Sequence, residues 1–172
     1  MMKRRSWLLA LLFFMFVLSA CASGGSKYLG KSLDPRDISS INAANEEHTY
    51  STRSFSIRYT YSVESDHKHL VLDGRITSLL DPAKHPLGTV LNRLTYEDIY
   101  IWALFTNESG MVIDAQEIHI TSNDQIFIPV KFNQILSFDP AYRGISLRMR
   151  ANMRDGLLMV DSHLLDSYKR TF

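Results

Sequence analysis

The chain has 172 residues, of which 45% are hydrophobic and 22% charged, and its formal net charge at pH 7 is +1. This balance is that of a folded globular protein, and it lacks the basic excess that nucleic-acid binding requires. The single cysteine, Cys21, rules out an internal disulfide, so the fold must depend on a hydrophobic core. We therefore expect one domain and no nucleic acid among its partners.

The first 20 residues have the pattern of a secretion signal. Three cations at positions 3–5 precede an uncharged apolar run from Trp7 to Leu18. The run is shorter than the roughly 20 apolar residues that a transmembrane helix needs, and small residues close it. Removing residues 1–20 takes away three of the 19 basic residues and none of the 18 acidic ones, so the mature chain is slightly acidic.

The last four residues of this region, Leu18–Cys21, resemble the lipobox of bacterial lipoproteins, with Ser19 and Ala20 as its small positions. The resemblance implies that Cys21 is S-diacylglycerylated, that the signal is cut before it, and that the new amino terminus is acylated. It also implies sorting to the outer membrane, because Ala22 is not the aspartate that retains such proteins at the inner membrane of enterobacteria. Several acyl chains on one residue would make the attachment permanent, whereas one chain gives only marginal binding.

The Gly/Ser-rich composition after Cys21 predicts a flexible tether over residues 21–33. We therefore expect the folded domain to span residues 34–172. Its first element is predicted to be a short surface helix that has Asp34 as its N-cap and ends near Asn45. Such a helix either docks a partner or, as we favour, covers the edge of a sheet.

Alternation of apolar and polar residues over 55–63 predicts a half-buried strand, and residues 69–78 are predicted to return beside it as a hairpin. The predicted register places Tyr59 opposite Gly74. A shift of one residue would turn the whole apolar set toward water, so the register is well specified.

Three further strands are predicted downstream. Residues 80–93 contain two prolines and a glycine and predict a long connection, as in a crossover between sheets. Residues 98–105 are almost continuously apolar, which is typical of a strand buried on both faces. Residues 111–120 and 126–132 follow as strands, and the proline of the second indicates a sheet edge or a bulge.

The dipeptide Asp-Gly at 155–156, flanked by alternating stretches, predicts a hairpin with a two-residue type I′ turn. This turn would pair Arg150 with Asp161 and Arg148 with His163 on the outer face. The two arginines are the candidate binding residues, because two cations on one face suit anionic lipid head groups or an acidic partner. A solvated face with cross-strand pairing is the alternative that we favour.

About seven strands with one long crossover predict an all-β fold, an antiparallel β-sandwich of Greek-key or immunoglobulin-like type with a short N-terminal helix. A small β-barrel is the alternative. The expected core consists of Tyr59, Tyr61, Leu72, Ile76, Trp102, Leu104, Ile118, Val130, Phe132, Leu147 and Met149.

The sequence contains neither a G-x-S-x-G nor an H-E-x-x-H motif, and it has no glycine-rich phosphate loop. His67 and His69 have the spacing of two metal ligands on a strand, but they flank a predicted turn and have no identifiable third ligand. Glu117 and His119 would share a strand face as an acid–base pair, without a nucleophile. We therefore expect no catalytic residues, no metal and no cofactor.

These patterns predict a lipoprotein of the bacterial envelope, attached to the membrane through Cys21 and facing the periplasm. Its β-sandwich is expected to be non-catalytic and to bind another envelope protein. A carrier of a small hydrophobic ligand or lipid in a barrel cavity is the alternative. An enzyme built around Glu117 and His119 is a third hypothesis.

Overall fold

The computed structural model describes residues 24–42, 45–52, 54–80, 94–154 and 158–160. In these ranges the strands are β1 Ser39–Ser40, β2 His48–Ser51, β3 Phe55–Val63, β4 His69–Ser78, β5 Tyr96–Thr106, β6 Val112–Thr121, β7 Val130–Ser137, β8 Gly144–Met153 and β9 Leu158–Val160. Two short 3-10 helices span Gly24–Tyr28 and Pro35–Asp37. The predictions for Cys21 and for most of the 80–93 connection lie outside the described residues.

The strands form two antiparallel sheets packed as a sandwich. Sheet I has the order β6-β5-β8, and β1 and β9 both pair with the far edge of β8. Sheet II has the order β2-β3-β4-β7. β4 pairs with β7, and β5 pairs with β8. In an immunoglobulin-like sandwich, β4 and β7 take the places of the paired strands B and E, and β5 and β8 those of the paired strands C and F. The sandwich prediction is confirmed, and the barrel alternative is wrong because the sheets do not close on each other.

The β3–β4 hairpin has the predicted register along its whole length, from Val63 opposite Leu70 to Phe55 opposite Ser78. Its inward residues alternate with polar ones, as a sheet with one solvated face requires. Tyr59 lies opposite Gly74, but the ring above that glycine belongs to Phe132 of β7. A Cβ atom on Gly74 would lie 2.2 Å from Cζ of Phe132.

β5 is the central strand of sheet I, and residues 101–106 of it are buried on both faces, as predicted. All eleven expected core residues are buried. They do not form one cluster, however. Trp102 and Leu104 pack with Val112 on the outer face of sheet I, whereas the main core lies between the sheets.

The predicted helix after Asp34 is wrong beyond its first turn. Asp34 does cap a 3-10 helix by accepting a hydrogen bond from the Arg36 backbone N–H, but that helix ends at Asp37. The chain then becomes extended, and Ser39–Ser40 pairs with β8 as β1. The segment therefore covers a sheet edge, as we favoured, but as a strand.

Two buried tyrosines connect β1 to sheet II. The Tyr59 hydroxyl lies 3.1 Å from Oγ of Ser39, and the Tyr61 hydroxyl donates to the Ser40 carbonyl. Burial raises the pKa of both phenols, so both stay protonated over the physiological range. The hydroxyls therefore join β1, at the edge of sheet I, to β3 in sheet II.

The predicted register of the last hairpin is wrong by one residue. Asn152 pairs with Leu158 and Arg150 with Val160, not with Asp161. The intervening stretch, 153–157, has an odd number of residues, which is incompatible with a two-residue turn in a regular ladder. The local preference of Asp-Gly therefore does not decide this pairing. Asp161 and His163 lie outside the described residues.

Candidate functional site

Most side chains that are candidates for a functional role lie on the outer faces of the two sheets. Residues 24–33, which we call the N-terminal segment, lie against sheet I. The Gly30 N–H donates to the Val112 carbonyl at 2.9 Å, and the Leu33 N–H donates to the Gly110 carbonyl at 3.1 Å. The predicted tether is therefore wrong for these ten residues, because the edge of β6 offers their backbone groups hydrogen-bond partners.

The start of the N-terminal segment covers Trp102, a residue that is only 4% exposed. The Tyr28 and Trp102 ring centroids lie 5.9 Å apart, and the Lys27 Nζ lies 4.6 Å from the Trp102 centroid. Gly25 allows this close approach, because a Cβ there would lie 3.0 Å from the Cβ of Ala115. The Trp102 Nε1 donates to Oε2 of Glu117 at 2.8 Å. The sequence did not predict the packing of the N-terminal segment on Trp102, because small polar residues give no periodic pattern of apolar positions.

The structure separates the two candidate arginines. Arg148 is only 17% exposed, and its guanidinium donates to Oδ2 of Asp37 and to the Leu147 carbonyl, both at 2.9 Å. It also lies 5.1 Å from the centroid of the Tyr50 ring. Arg148 therefore joins β8 to the segment before β1 and to the edge of sheet II. Arg150, on the same strand face, is exposed to solvent.

We expect Arg148→Ala to lower the free energy of unfolding by about 1 to 3 kcal/mol, because it leaves several polar groups without their charged donor. Arg150→Ala is the matched control, and we expect a change within about 0.5 kcal/mol. Urea unfolding followed by circular dichroism measures both. A change of no more than about 0.5 kcal/mol for Arg148→Ala as well would show that Arg148 has no structural role.

The predicted acid–base pair does not assemble. Glu117 accepts from Trp102, whereas Nε2 of His119 lies 2.6 Å from Oδ1 of Asp98. The imidazole of His119 also stacks on the Tyr100 ring, with centroids 4.7 Å apart. The two side chains thus have separate partners, Trp102 for Glu117 and Asp98 for His119.

The candidate histidines do not both flank the turn: His67 lies inside it with a φ of 53°, whereas His69 begins β4. Nδ1 of His69 lies 2.6 Å from Oδ2 of Asp66 and 3.7 Å from Oε2 of Glu64. The three side chains are exposed. Asp66 also accepts from the Lys68 backbone N–H at 2.8 Å, and this hydrogen bond lowers the pKa of the carboxyl. These contacts are those of a solvated turn that Asp66 stabilises.

The outer face of sheet II carries a feature that the sequence analysis did not name. Arg58 of β3 lies opposite Arg75 of β4, which in turn lies opposite Lys131 of β7. All three are exposed, and no described carboxylate forms an ion pair with them. We call this set the basic row. Like charges in directly opposite positions destabilise a sheet, so an anionic partner would relieve a cost that the fold carries.

Comparisons with protein-family models, with curated protein sequences and with solved structures gave no match to this chain. Within the described ranges, no helix has the length and apolar character needed to span a bilayer.

Proposed function

We propose that this chain is an outer-membrane lipoprotein, anchored through lipidated Cys21, whose β-sandwich faces the periplasm and binds another envelope protein without catalysis. The signal-like residues 1–20 and the lipobox Leu18–Cys21 support the anchor. The packing of the N-terminal segment on sheet I is the observation that carries the proposed geometry.

This packing brings the proposed anchor close to the domain. Cys21 precedes Gly24 by three residues, and because consecutive Cα atoms are 3.80 Å apart, it lies within about 11 Å of that residue. A free tether over residues 21–33 would have reached roughly 45 Å. In our proposal, sheet I therefore faces the bilayer and sheet II faces away from it. Lys27 and Arg150, both exposed on the outer face of sheet I, suit anionic head groups.

Two observations support binding rather than catalysis. The candidate acid and base, Glu117 and His119, are engaged by Trp102 and Asp98 respectively. The basic row instead offers an exposed charged surface on the side turned away from the proposed anchor. The function is therefore assigned to surface contacts.

We expect Cys21→Ser to abolish incorporation of radiolabelled fatty acid and to release the chain from the membrane fraction, because no other residue supplies the thiol. Labelling of cells that express the full chain, followed by fractionation, measures both effects. Ser23→Ala is the control, since it leaves the lipobox intact and should keep the label. Undiminished labelling of Cys21→Ser would refute the lipoprotein assignment.

A further inference from the structure

β7 is an edge strand of sheet II. A hydrogen bond at its carboxyl end shows which of its residues bond to β4 and which point away from it. The Phe138 N–H donates to the Lys68 carbonyl at 2.7 Å, which places residue 138 in a hydrogen-bonded pair. Alternate residues of an antiparallel strand point their backbone groups to opposite sides. Ser137 accordingly points away from β4, and the Gln116 side chain binds both its N–H, at 2.9 Å, and its carbonyl, at 2.8 Å.

The same alternation turns the backbone groups of Lys131, Asn133 and Ile135 away from β4. No strand in the described part of the chain pairs with them there. Their side chains lie on the outer face of sheet II, and all three are exposed. Ile135 is 63% exposed, the largest fraction among the described large apolar residues. Three successive outward-facing positions of this edge are thus without a paired strand among the described residues, and such an edge can accept another strand.

Each open position ends a row of side chains that crosses the sheet. Lys131 ends the basic row, and Ile135 lies opposite Val71. Asn133 lies between them and donates to Asp73, the one acidic side chain on the outer faces of β3, β4 and β7. A strand added at this edge would extend every row by one residue. Charge complementarity then requires an acid opposite Lys131, and the apolar pair requires an apolar residue opposite Ile135.

We propose that the edge of β7 receives an extended acidic segment of a partner protein as an added antiparallel strand. The segment carries an apolar residue that meets Ile135 and, four residues later, an acid that meets Lys131. This inference rests on the proposed function, because sheet II must face the periplasm to be reached. Main-chain hydrogen bonds would supply affinity, and the two side chains would supply specificity.

A second copy of this chain is a poorer occupant of the edge. Two β7 strands related by a two-fold axis at Asn133 would place each Lys131 opposite Ile135 of the other copy, so neither side chain would meet a complementary one. A lysine on an edge strand is also a common device against self-pairing. An acidic segment instead offers Lys131 an opposite charge.

We expect a photoreactive phenylalanine analogue at position 135 of the full chain, in its own cells, to crosslink to an extended acidic segment of another protein. Asn133→Pro should lower the adduct yield about tenfold, because proline removes the N–H that an added strand needs. Asn133→Ala is the matched control, since it keeps that N–H and also loses the side-chain bond to Asp73. Lys131→Glu should lower the yield similarly. Mass spectrometry of the adduct identifies the crosslinked segment.

The inference would be overturned by no adduct at position 135, by an equal yield from the analogue at Ser56 on the same sheet face, or by an equal yield in Asn133→Pro and Asn133→Ala. An adduct with the chain itself or with lipid only would also overturn it. If Asn133→Pro does not fold, the Lys131→Glu comparison decides. Fractionation of the same cells separates the two hypotheses, because a membrane-bound chain without an adduct leaves the proposed function standing.

Discussion

Gly74→Ala is expected to lower the free energy of unfolding by about 1 to 3 kcal/mol, although it adds a single methyl group. The new Cβ would lie 2.2 Å from Cζ and 2.6 Å from Cε1 of Phe132, far inside van der Waals contact. Phe132 is itself buried and cannot move freely, because β7 is fixed to β4 by eight residue pairs. The overlap must therefore push the strand or the ring out of place. Urea unfolding of the wild type and the variant measures the loss.

Two further variants separate overpacking from other effects of this substitution. Gly74→Ala combined with Phe132→Leu should lose less stability than the sum of the single changes, because the smaller side chain makes room for the methyl group. Arg75→Ala, at the adjacent exposed position, should change the free energy of unfolding by no more than about 0.5 kcal/mol. Additive effects of Gly74→Ala and Phe132→Leu would contradict the proposed contact.

Trp102→Ala is expected to cost about 3 to 5 kcal/mol of unfolding free energy, which is the usual range for a buried tryptophan. The indole lies on the outer face of sheet I, where it would be exposed without the N-terminal segment. Its removal leaves Tyr28 and Lys27 without the ring on which they pack. The variant should therefore release residues 24–33 as well as weaken the sandwich. Urea unfolding followed by circular dichroism measures the loss.

Trp102→Phe is the matched control because it keeps an aromatic ring but removes the five-membered ring of the indole, and with it the N–H that donates to Glu117. We expect it to lose about 1 kcal/mol, the net contribution of one hydrogen bond, plus a smaller packing loss. If Trp102→Ala were no more harmful than Trp102→Phe, the covered tryptophan would not contribute to stability as we describe.

The predictable parts of this fold are those in which the local pattern and the tertiary contact agree. The period-two stretch over 55–63 and its return over 69–78 define each other's register, because only one pairing buries both apolar sets. The buried strand around Trp102 was equally clear, since no polar residue interrupts its centre. In both cases neighbouring residues carry the whole signal.

The parts that could not be predicted depend on residues that are distant in sequence. The packing of Phe132 over Gly74 requires the β4–β7 pairing, which no hairpin dictates. The basic row has the same origin. The predicted hairpin already placed Arg58 opposite Arg75, but Lys131 joins them only through β7.

Two errors arose because a local preference was outweighed. The Gly/Ser-rich composition of residues 24–33 is typical of a linker, yet the covered tryptophan and the edge of β6 hold this segment in place. At the last hairpin, Asp155 and Gly156 favour a two-residue turn, but the ladder pairs Asn152 with Leu158. Short polar motifs therefore predict loops without predicting what packs against them.

The docking of the N-terminal segment on sheet I determines which face of the domain lies nearest the proposed anchor. Hydrogen exchange of the purified full chain, read by mass spectrometry over residues 24–33, measures whether this segment is docked in solution. Gly30 and Leu33 donate their N–H groups to β6 and to the turn before it, so we expect their exchange to be at least about tenfold slower than in a free peptide of the same sequence. Trp102→Ala should remove that protection. Exchange in the wild type as fast as in the free peptide would show that the segment is not docked on sheet I.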